Sequence, residues 1–436
     1  MNVLIVGGGA REHAIALAVE NSEHGPKIYA AMSNKNPGIV KICSDYTICD
    51  MSDTEKITAY AVEKKIELAI IGPESPLCIG IVDCLEKKRL RVFGPKKGPA
   101  RIECNKSFAR NLMDKYGILG NPRFGVFSDL SGASDFIDSI GEVAVKPVGL
   151  TGGKGVKVTG DQLKNPNEAK AYVKEVLDRK IGGSKSVVIE EKLEGEECTI
   201  QAFTDGKTLA PMPAVQDHKR AYEGDIGPNT GGMGSYSDYN HLLPFMEQKD
   251  QDKCLEIMKD TLEALYKETG EYYKGILYGQ FILTKDGPYI IEFNCRFGDP
   301  EVMNVLPLLK TDFIEISEGI VDTKLNNVDF ENLATVCKYA VPKGYPEDPQ
   351  KNAKISIEET GDALIFYASV NEEKGDIFTT SSRSLAVVGI SETIEGAEVK
   401  AEDALSKIKG NVHSRHDIGK KELIQKRIEH MKALKN

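Results

Sequence analysis

The chain has 436 residues, of which 41% are hydrophobic and 28% are charged, as in a globular protein rather than a disordered or fibrous chain. At roughly 150 residues per domain, this length predicts about three domains. The net charge of −10 offers no basic surface to nucleic acid or to an anionic membrane, although a few lysines and backbone amides can still bind small anions.

The nine cysteines are odd in number, scattered and never spaced as Cys-x-x-Cys. We therefore expect buried free thiols in a reducing compartment rather than a disulfide framework or a zinc site. The first residues have no basic segment and only four consecutive apolar residues, so they predict a strand and not a signal peptide. No apolar run approaches the ~18 residues of a membrane span, and we expect a cytoplasmic protein.

Residues 1–103 alternate short apolar runs with helical stretches. Strands are predicted at 3–6, 28–31, 68–71 and 91–93, and helices at 11–20, 54–65 and 77–88. Such alternation is typical of a Rossmann-like parallel sheet, whose ligands bind beyond the carboxyl ends of the strands. Two loops at those ends contain Gly7-Gly8-Gly9 and Gly72-Pro73-Glu74.

The Gly7-Gly8-Gly9 turn does not match the dinucleotide-binding fingerprint. That fingerprint needs a glycine where this chain has Glu12, and an acidic residue at the end of the second strand, where residues 30–34 have none. A glycine turn before a helix still offers unpaired N–H groups to a single phosphate. A tight turn that binds nothing is the alternative.

A helix is predicted at 106–116, and residues 121–191 follow the pattern strand, helix, hairpin, helix, strand. Lys146 lies in a strand interior, where an ammonium group needs an anion or a ligand. Glycines at 149, 152, 153 and 155 surround Lys154, so this loop can fold over a polyphosphate and donate backbone N–H groups. We predict a mobile hairpin over the triphosphate of a nucleotide. This hairpin is not a P-loop, because no Gly-Lys-Ser/Thr opens a helix.

The strand at 186–191 runs into a hinge that can offer backbone groups to an adenine edge and carboxylates to ribose hydroxyls. A hairpin follows at 277–284 and 289–294, joined through Asp286-Gly287. Glu292 and Asn294 share one face of its second strand and supply the hard oxygen ligands that Mg²⁺ on nucleotide phosphates requires. Arg296 extends this row toward an anion.

Residues 216–234 combine many glycines with charged residues, which is typical of a loop that lines a polar pocket or of a disordered loop. His218 has no partner at metal-ligand spacing, so we expect it to make a structural hydrogen bond. Residues 327–436 contain several short strands and two helices, predicted at 401–409 and 420–434.

These segments resemble the ATP-grasp superfamily. The general likeness is carried by Lys146, the loop at 152–156, the hinge at 190–197 and Glu292-x-Asn294. Further segments closely resemble one family within it, the phosphoribosylamine-glycine ligases. They lie at 7–14, 72–74, 217–220, 227–234, 294–301 and, less specifically, 413–419.

The resemblance implies an α/β and α+β multidomain fold. Its parts would be a Rossmann-like parallel-sheet N-terminal substrate domain (1–103), a central ATP-grasp domain (104–122 and 192–326), an ATP-grasp lid subdomain (123–191) and a small C-terminal α+β domain (327–436). The implied reaction joins glycine to 5-phosphoribosylamine at the expense of ATP, through glycyl phosphate, in the second step of de novo purine synthesis. The partners would be small molecules, without nucleic acid or membrane, and the enzyme a monomer or small homo-oligomer.

The resemblance also assigns roles to individual residues. Lys154, Arg296 and Asp217 would be catalytic. ATP would be bound by Lys106, Lys146, Lys154, Glu190, Lys192, Leu193 and Glu197. The substrate pocket would contain Gly9, Glu74, Asp217, Lys219, Arg220, Asn229 and Arg296. Glu292 and Asn294 would hold Mg²⁺ or Mn²⁺.

Two departures from the family pattern are visible. Arg110 stands where relatives often carry lysine, and residues 382–384 lack a glycine pair, which leaves the local C-terminal geometry open.

The rival interpretations are another carboxylate-amine ligase of purine synthesis, a biotin-carboxylase-like enzyme and a nucleotide sensor without catalysis. Segments 217–220 and 296–301 argue against the first, the lack of a biotinyl Met-Lys-Met against the second, and the retained lysines and oxygen pair against the third.

Overall fold

A computed structural model describes residues 1–152 and 155–436. Its first unit is a parallel sheet of five strands in the order β3-β2-β1-β4-β5, so the predicted parallel sheet is confirmed. The elements are β1 (Asn2–Val6), α1 (Ala10–Glu20), β2 (Lys27–Met32), α2 (Pro37–Ile42), β3 (Asp45–Ile48), α3 (Thr54–Glu63), β4 (Leu68–Ile71), α4 (Glu74–Ile79), α5 (Ile81–Lys87) and β5 (Arg91–Phe93).

This unit differs from the sequence prediction at two places. The prediction lacked α2 and β3, because β3 is an edge strand with half-buried or exposed residues rather than a buried apolar run. The helix predicted at 77–88 is two helices, because Gly80 adopts a φ of +95° between them. Glycine takes this left-handed conformation without steric cost, and here it ends α4.

Two helices, α6 (Lys97–Cys104) and α7 (Lys106–Tyr116), lead out of the first sheet. A disulfide bond joins Cys78 of α4 to Cys104 of α6, with Cα atoms 5.7 Å apart. The expectation of free thiols is therefore wrong for this pair, whose members are separated by 26 residues and meet only because α6 packs on α4. Among the described residues the other cysteines are free, and most are buried.

The next unit has a separate hydrophobic core and the predicted order of strand, helix, hairpin, helix, strand. Its antiparallel sheet has the order β6-β9-β7-β8. The elements are β6 (Phe124–Phe127), α8 (Leu130–Ile140), β7 (Val143–Pro147), β8 (Lys157–Val158), α9 (Pro166–Arg179), a short 3-10 helix (Ile181–Gly183) and β9 (Val187–Glu191). We call this unit the lid.

A second antiparallel sheet has the order β11-β10-β16-β17 and contains the predicted hairpin. Residues of this sheet and of the lid line one common cavity. The 22-residue helix α10 packs on it and was not predicted, although its buried Cys254, Met258 and Leu265 follow helical spacing. The elements are β10 (Glu196–Thr204), β11 (Leu209–Pro211), β12 (Gln216–Asp217), β13 (Arg220–Tyr222), β14 (Ile226–Asn229), β15 (Gly234–Ser237), α10 (Gln248–Thr269), β16 (Gly275–Thr284), β17 (Gly287–Asn294), α11 (Val302–Val305), a 3-10 helix (Leu306–Leu308) and α12 (Phe313–Val321).

The C-terminal sheet has the order β12-β15-β18-β23-β20, with β25 also paired to β18. Strands β12 and β15 thus join residues before 326 to this sheet, so it crosses the boundary drawn from the sequence. The elements are β18 (Ala334–Pro342), β19 (Lys354–Ile357), β20 (Leu364–Tyr367), β21 (Val370–Glu373), β22 (Asp376–Thr379), β23 (Leu385–Ser391), α13 (Ile394–Ser406), β24 (Ile408–Gly410), β25 (Val412–His413) and α14 (Lys421–Lys435). None of the described helices is both long and apolar enough to cross a bilayer.

The disulfide yields a prediction about thiol chemistry. In denaturant the oxidised protein should expose seven reactive thiols, the number of free cysteines, and reduction should add the two of Cys78 and Cys104. Closing a loop of this length stabilises the folded chain by about 3 kcal/mol in the chain-entropy model, so reductant should also lower the melting temperature. The measurement is thiol titration and thermal melting with and without reductant.

The matched control is Cys84→Ser, which removes a free thiol of α5 and should leave the effect of reductant on melting intact. In Cys78→Ser, reductant should change neither the thiol count nor the melting temperature. A wild-type protein with all thiols reactive before reduction would contradict the bridge.

Candidate active site

A cavity of about 740 Å³ lies between the lid, the central sheet and the C-terminal sheet. Most of the residues selected from the sequence line it together: Glu74, Lys106, Lys146, Glu190, Lys192, Leu193, Glu197, Asp217, Lys219, Arg220, Asn229, Glu292, Asn294 and Arg296. Gly9 lies outside this lining, and Lys154 lies outside the described residues. The sequence therefore located one common cavity from segments far apart in the chain.

Lys146 meets an anion that belongs to the protein itself. Its ammonium lies 2.6 Å from Glu190 on the neighbouring strand β9 and donates to the carbonyl oxygen of Ile291 at 2.9 Å. Burial lowers the pKa of Lys146, and Glu190 opposes that shift. The buried lysine inferred from the sequence thus has a partner before any ligand arrives.

Arg110 of α7 completes this cluster from the opposite side. Its guanidinium donates to both carboxylate oxygens of Glu190, at 2.7 and 2.9 Å, in the bidentate geometry that arginine favours. Burial would raise the pKa of Glu190, but Arg110 and Lys146 outweigh burial and hold that pKa below its usual value. Glu190 therefore serves as a buried anion for two cations, whereas the sequence placed it beside adenine or ribose.

A β-bulge in β17 directs a carbonyl group into this cluster. In the hairpin, Gln280 pairs with Glu292 and Phe281 pairs with Ile290, which leaves Ile291 without a cross-strand partner. The carbonyl oxygen of Ile291 accepts from Lys146 and from Arg110, each at 2.9 Å. The bulge also sets the side chain of Glu292 toward the cavity.

Lys106 is the first residue of α7 and also faces the cavity. Its backbone N–H donates to Val148 of the lid at 2.9 Å, whereas its ammonium has no hydrogen bond or ion pair with any described residue. An unpaired ammonium beside a helix N-terminus is well suited to hold a phosphate.

Glu292 and Asn294 fit the requirements of a hard divalent cation. Both line the cavity, and the Glu292 carboxylate makes no hydrogen bond or ion pair with the residues described. Burial would raise the pKa of Glu292, but nearby Lys219 and Lys106 lower it overall and keep the group charged. No three His, Cys, Asp or Glu residues cluster as metal ligands in the described chain. A two-oxygen set is sufficient for Mg²⁺ when phosphates and water supply the remaining ligands.

Arg296 lies between two carboxylates, next to the oxygen pair. Its guanidinium is 3.4 Å from Glu74 and 3.2 Å from Glu103, and it donates to the side-chain oxygen of Asn294 at 3.3 Å. Burial alone would lower the pKa of Arg296, but Glu103 and Glu74 raise it overall. Arg296 is thus a fixed cation tied to the second member of the oxygen pair.

Asp217 shares its part of the cavity with other acidic groups. Burial raises the pKa of Asp217 to about 7, with Lys219 opposing the shift and Glu301 and Glu197 adding to it. Glu301 accepts a hydrogen bond from Tyr278 at 2.8 Å, so its carboxylate is fixed. The position of Asp217 gives the cavity a carboxyl group that changes protonation state near neutral pH.

The hairpin β13–β14 carries Arg220 and Asn229, which face each other across its strands. Arg220 forms an ion pair with Asp161 of the lid and donates to the carbonyl oxygen of Gly227 at 2.7 Å. It therefore links the hairpin to the lid at the edge of the cavity.

One expectation from the sequence is corrected here. His218 makes no hydrogen bond through its ring within the described chain; it packs 5.9 Å from the Tyr236 ring, and burial lowers its pKa to about 4. The N–H of Gly9 donates to the Glu12 carboxylate at 2.7 Å, so this part of the glycine turn has an internal partner.

Three residues of this site were not selected as functional from the sequence: Glu103, Arg110 and Arg383. Arg110 lies on the buried face of α7, where a charged residue requires a partner, and that pattern was available as a signal. Glu103 likewise occupies a buried position of α6. Arg383 comes from the C-terminal part of the chain, and no local pattern links it to the cavity.

Models of the phosphoribosylglycinamide synthetase family match this chain in three segments: the N domain at 1–103, the ATP-grasp (A) domain at 104–302 and the C domain at 335–421. The phosphoribosylamine–glycine ligase of Methanosarcina barkeri is 55% identical over 437 residues, which cover 100% of both chains.

Solved structures agree with this match. The crystal structure of phosphoribosylamine–glycine ligase from Thermotoga maritima has a TM-score of 0.82 at 30% identity, covering 96% of this chain and 100% of that one. The biotin carboxylase domain of the Hydrogenobacter thermophilus 2-oxoglutarate carboxylase has a TM-score of 0.73 at 16% identity, covering 99% and 93%, and shares the fold alone. The resemblance drawn from the sequence is confirmed, and the chain belongs to the phosphoribosylglycinamide synthetase family.

Proposed function

We propose that this enzyme uses ATP to join the carboxyl group of glycine to the amine of 5-phosphoribosylamine, giving glycinamide ribonucleotide, ADP and phosphate in purine synthesis. One observation carries the proposal: a single cavity is lined by several lysines and arginines, by the oxygen pair of Glu292 and Asn294, and by Asp217, whose pKa burial raises to about 7. We further propose a cytoplasmic monomer or small homo-oligomer, acting on these small molecules.

The reaction needs activation because a carboxylate is a poor acyl donor. Attack of a glycine carboxylate oxygen on the γ-phosphorus of ATP forms one O–P bond, breaks the bond to ADP and gives glycyl phosphate. The amine nitrogen then attacks the acyl carbon, so that a C–N bond forms while the bond to phosphate breaks and an amine proton leaves. Neither step needs a protein nucleophile, and the protein contributes mainly position and charge neutralisation.

The ATP half of the site is proposed to lie against the lid. Lys106, whose ammonium has no partner among the described residues, is proposed to bind a phosphate, and Lys146 adds a second positive charge that Glu190 holds in place. Lys192 and Leu193 follow β9 and line the cavity, where their backbone is proposed to meet the adenine edge, and Glu197 is proposed to bind the ribose. Lys154 is proposed to add charge to the triphosphate on sequence grounds alone.

Glu292 and Asn294 are proposed to hold the divalent metal, Mg²⁺ or Mn²⁺, beside these phosphates. Such an ion, when bound, neutralises charge on the transferring phosphoryl group. The Glu292 carboxylate lies near Lys219, Lys106 and Lys146, which hold its pKa below the usual value against burial.

The amine half of the site is proposed to surround Asp217 and Arg296. Arg296, fixed by Glu74 and Glu103, can orient the carboxylate or phosphate of a substrate. Asp217 can accept the proton that leaves the attacking amine, because a base with a pKa near the working pH transfers protons most effectively. Lys219, Arg220 and Asn229 are the remaining candidates for substrate contacts.

The reaction itself gives the first test. ADP release by the purified protein should require both glycine and freshly prepared phosphoribosylamine. Replacing glycine by alanine should lower kcat/KM roughly 10–200-fold, the usual discrimination against one extra methyl group in a closed pocket. ADP release is measured across amino acids and amines.

Equal turnover with alanine, or turnover without the amine, would contradict the proposed substrates. Turnover only with a different acid and amine would favour another ligase of the superfamily. ATP binding without any turnover would favour a sensor.

The oxygen pair gives a second prediction. Glu292→Gln should lower kcat by roughly 10²–10³, because an electrostatic contact to the transferring group is lost, and should raise the Mg²⁺ concentration needed for half-maximal rate. Turnover is measured against Mg²⁺ concentration, with thermal melting as the check on folding. Glu256→Gln, at an exposed site of α10, is the matched control and should behave as wild type. Near-normal activity of the first variant would remove Glu292 from the metal site.

The third prediction concerns pH. Because burial raises the pKa of Asp217 to about 7, this base is protonated below neutral pH, and kcat/KM should fall as pH decreases through about 7. Asp217→Asn should lower kcat by roughly 10²–10⁴ and abolish this acid limb. Asp286→Asn, in the exposed hairpin turn, should keep the wild-type profile. An unchanged acid limb in Asp217→Asn would assign the proton to another group.

A further inference from the structure

Arg383 brings the C-terminal part of the chain into contact with the amine half of the site. It lies between β22 and β23, and its side chain lines the cavity. One terminal nitrogen donates to the carbonyl oxygens of Gly231 and Gly232 at 2.7 and 3.0 Å and to that of Asp299 at 3.2 Å. The other lies 2.9 Å from the Asp299 carboxylate.

Tyr339 holds the same group from a second direction. The Arg383 guanidinium lies 4.4 Å from the centre of the Tyr339 ring, and the Tyr339 hydroxyl donates to the Asp299 carboxylate at 2.6 Å. Burial would lower the pKa of Arg383, but Asp299 and other neighbours raise it overall, so the group stays charged. Arg383, Tyr339 and Asp299 therefore form one fixed unit, which we call the arginine clamp.

The arginine clamp fixes the loop at 230–232, which contains Gly231 and Gly232. Gly232 has a φ of +107°, and a Cβ there would lie 2.6 Å from the ring of Pro300, so the loop is packed directly against residue 299 and its neighbour. Thr230, next in the loop, donates both its N–H and its hydroxyl to the carbonyl oxygen of Lys219, at 2.7 and 2.8 Å. Displacement of this loop is thus transmitted to Lys219, two residues after Asp217 in the segment between β12 and β13.

The clamp also fixes the segment that follows β17. Asp299 lies between Arg296, which faces Glu74, and Glu301, which contributes to the raised pKa of Asp217. Because Asp299 is held from two sides, the positions of Arg296 and Glu301 in the same segment are also restrained. Both terminal nitrogens of Arg383 already have protein acceptors, so Arg383 acts through these loops rather than as a free cation for substrate.

We infer that Arg383 is a positioning residue for the amine-transfer half of the reaction: it locks the 230–232 loop to the 299–301 segment so that Asp217 and Arg296 keep their relative places. This inference rests on the proposed function. Arg383→Ala should raise the KM for phosphoribosylamine and lower kcat, together by roughly 10²-fold in kcat/KM, the size expected from a displacement of about 1 Å in a catalytic site. ADP affinity should be unchanged, because the lysines lie at the other half of the cavity.

Two more variants separate positioning from general damage. Arg383→Lys keeps the charge but loses the planar fork, so it should recover only part of the activity. Tyr339→Phe removes only the hydroxyl bond to Asp299 and should cause a smaller loss in the same kinetic constants. Arg179→Met, at an exposed site that pairs with Glu175, is the matched control and should equal wild type.

The experiment measures kcat, the KM of each substrate and the ADP dissociation constant for all variants, and repeats the Arg383→Ala assay with millimolar guanidinium. The clamp is supported if Arg383→Ala raises the KM for phosphoribosylamine and lowers kcat while ADP affinity is unchanged, and if guanidinium partly restores activity. Wild-type constants in Arg383→Ala and Tyr339→Phe, or an equal loss of ADP affinity, would overturn it. If Arg383→Ala does not fold, Arg383→Lys and Tyr339→Phe decide by the same criteria. A wild-type enzyme inactive with glycine and phosphoribosylamine would instead overturn the proposed function, and the clamp's role with it.

Discussion

The buried ion pair between Glu190 and Arg110 is the interaction on which the cavity depends. It joins β9 of the lid to α7, and the same arginine donates to the carbonyl oxygen of Ile291 in β17. Lys146 binds the same carboxylate, so two cations share one buried anion. Removal of one partner from such a cluster leaves an uncompensated buried charge, which costs about 3–5 kcal/mol. The lid, the helix and the central sheet are thus held together where the phosphates are proposed to bind.

The same rule of internal compensation extends along the cavity. Lys192 lies 3.1 Å from Glu142, Lys219 lies 3.7 Å from Glu197, and the cation of Arg296 is shared between two carboxylates. A chain of net charge −10 can therefore place several cations around one cavity without a basic surface, because these cations have carboxylates from other elements. Among the described cations of the ATP half, Lys106 is the one whose ammonium is left for a ligand.

Features with short-range causes could be predicted from the sequence. The parallel sheet follows from apolar runs separated by helices, and the Glu292-x-Asn294 pair follows from the two-residue period of a strand. Features made by packing could not be predicted. The bulge at Ile291, the Cys78–Cys104 bridge and the approach of Arg383 join residues that no local pattern connects. The prediction of a hydrogen bond for His218 was wrong for the same reason, because the sequence gives the chemistry of the side chain but not its surroundings.

The acidic composition that excluded nucleic-acid binding has a positive consequence inside the cavity. Asp217 lies near Glu301 and Glu197, and burial adds its own penalty for negative charge, so the proton is retained up to about pH 7 despite the nearby Lys219. A carboxylate on the surface would titrate near pH 4 and could accept a proton from an amine only weakly. Burial and the crowding of acidic groups thus raise the pKa of an ordinary aspartate into the range that suits the proposed amine transfer. The charge balance of the chain and the chemistry of its site are two results of the same distribution of carboxylates.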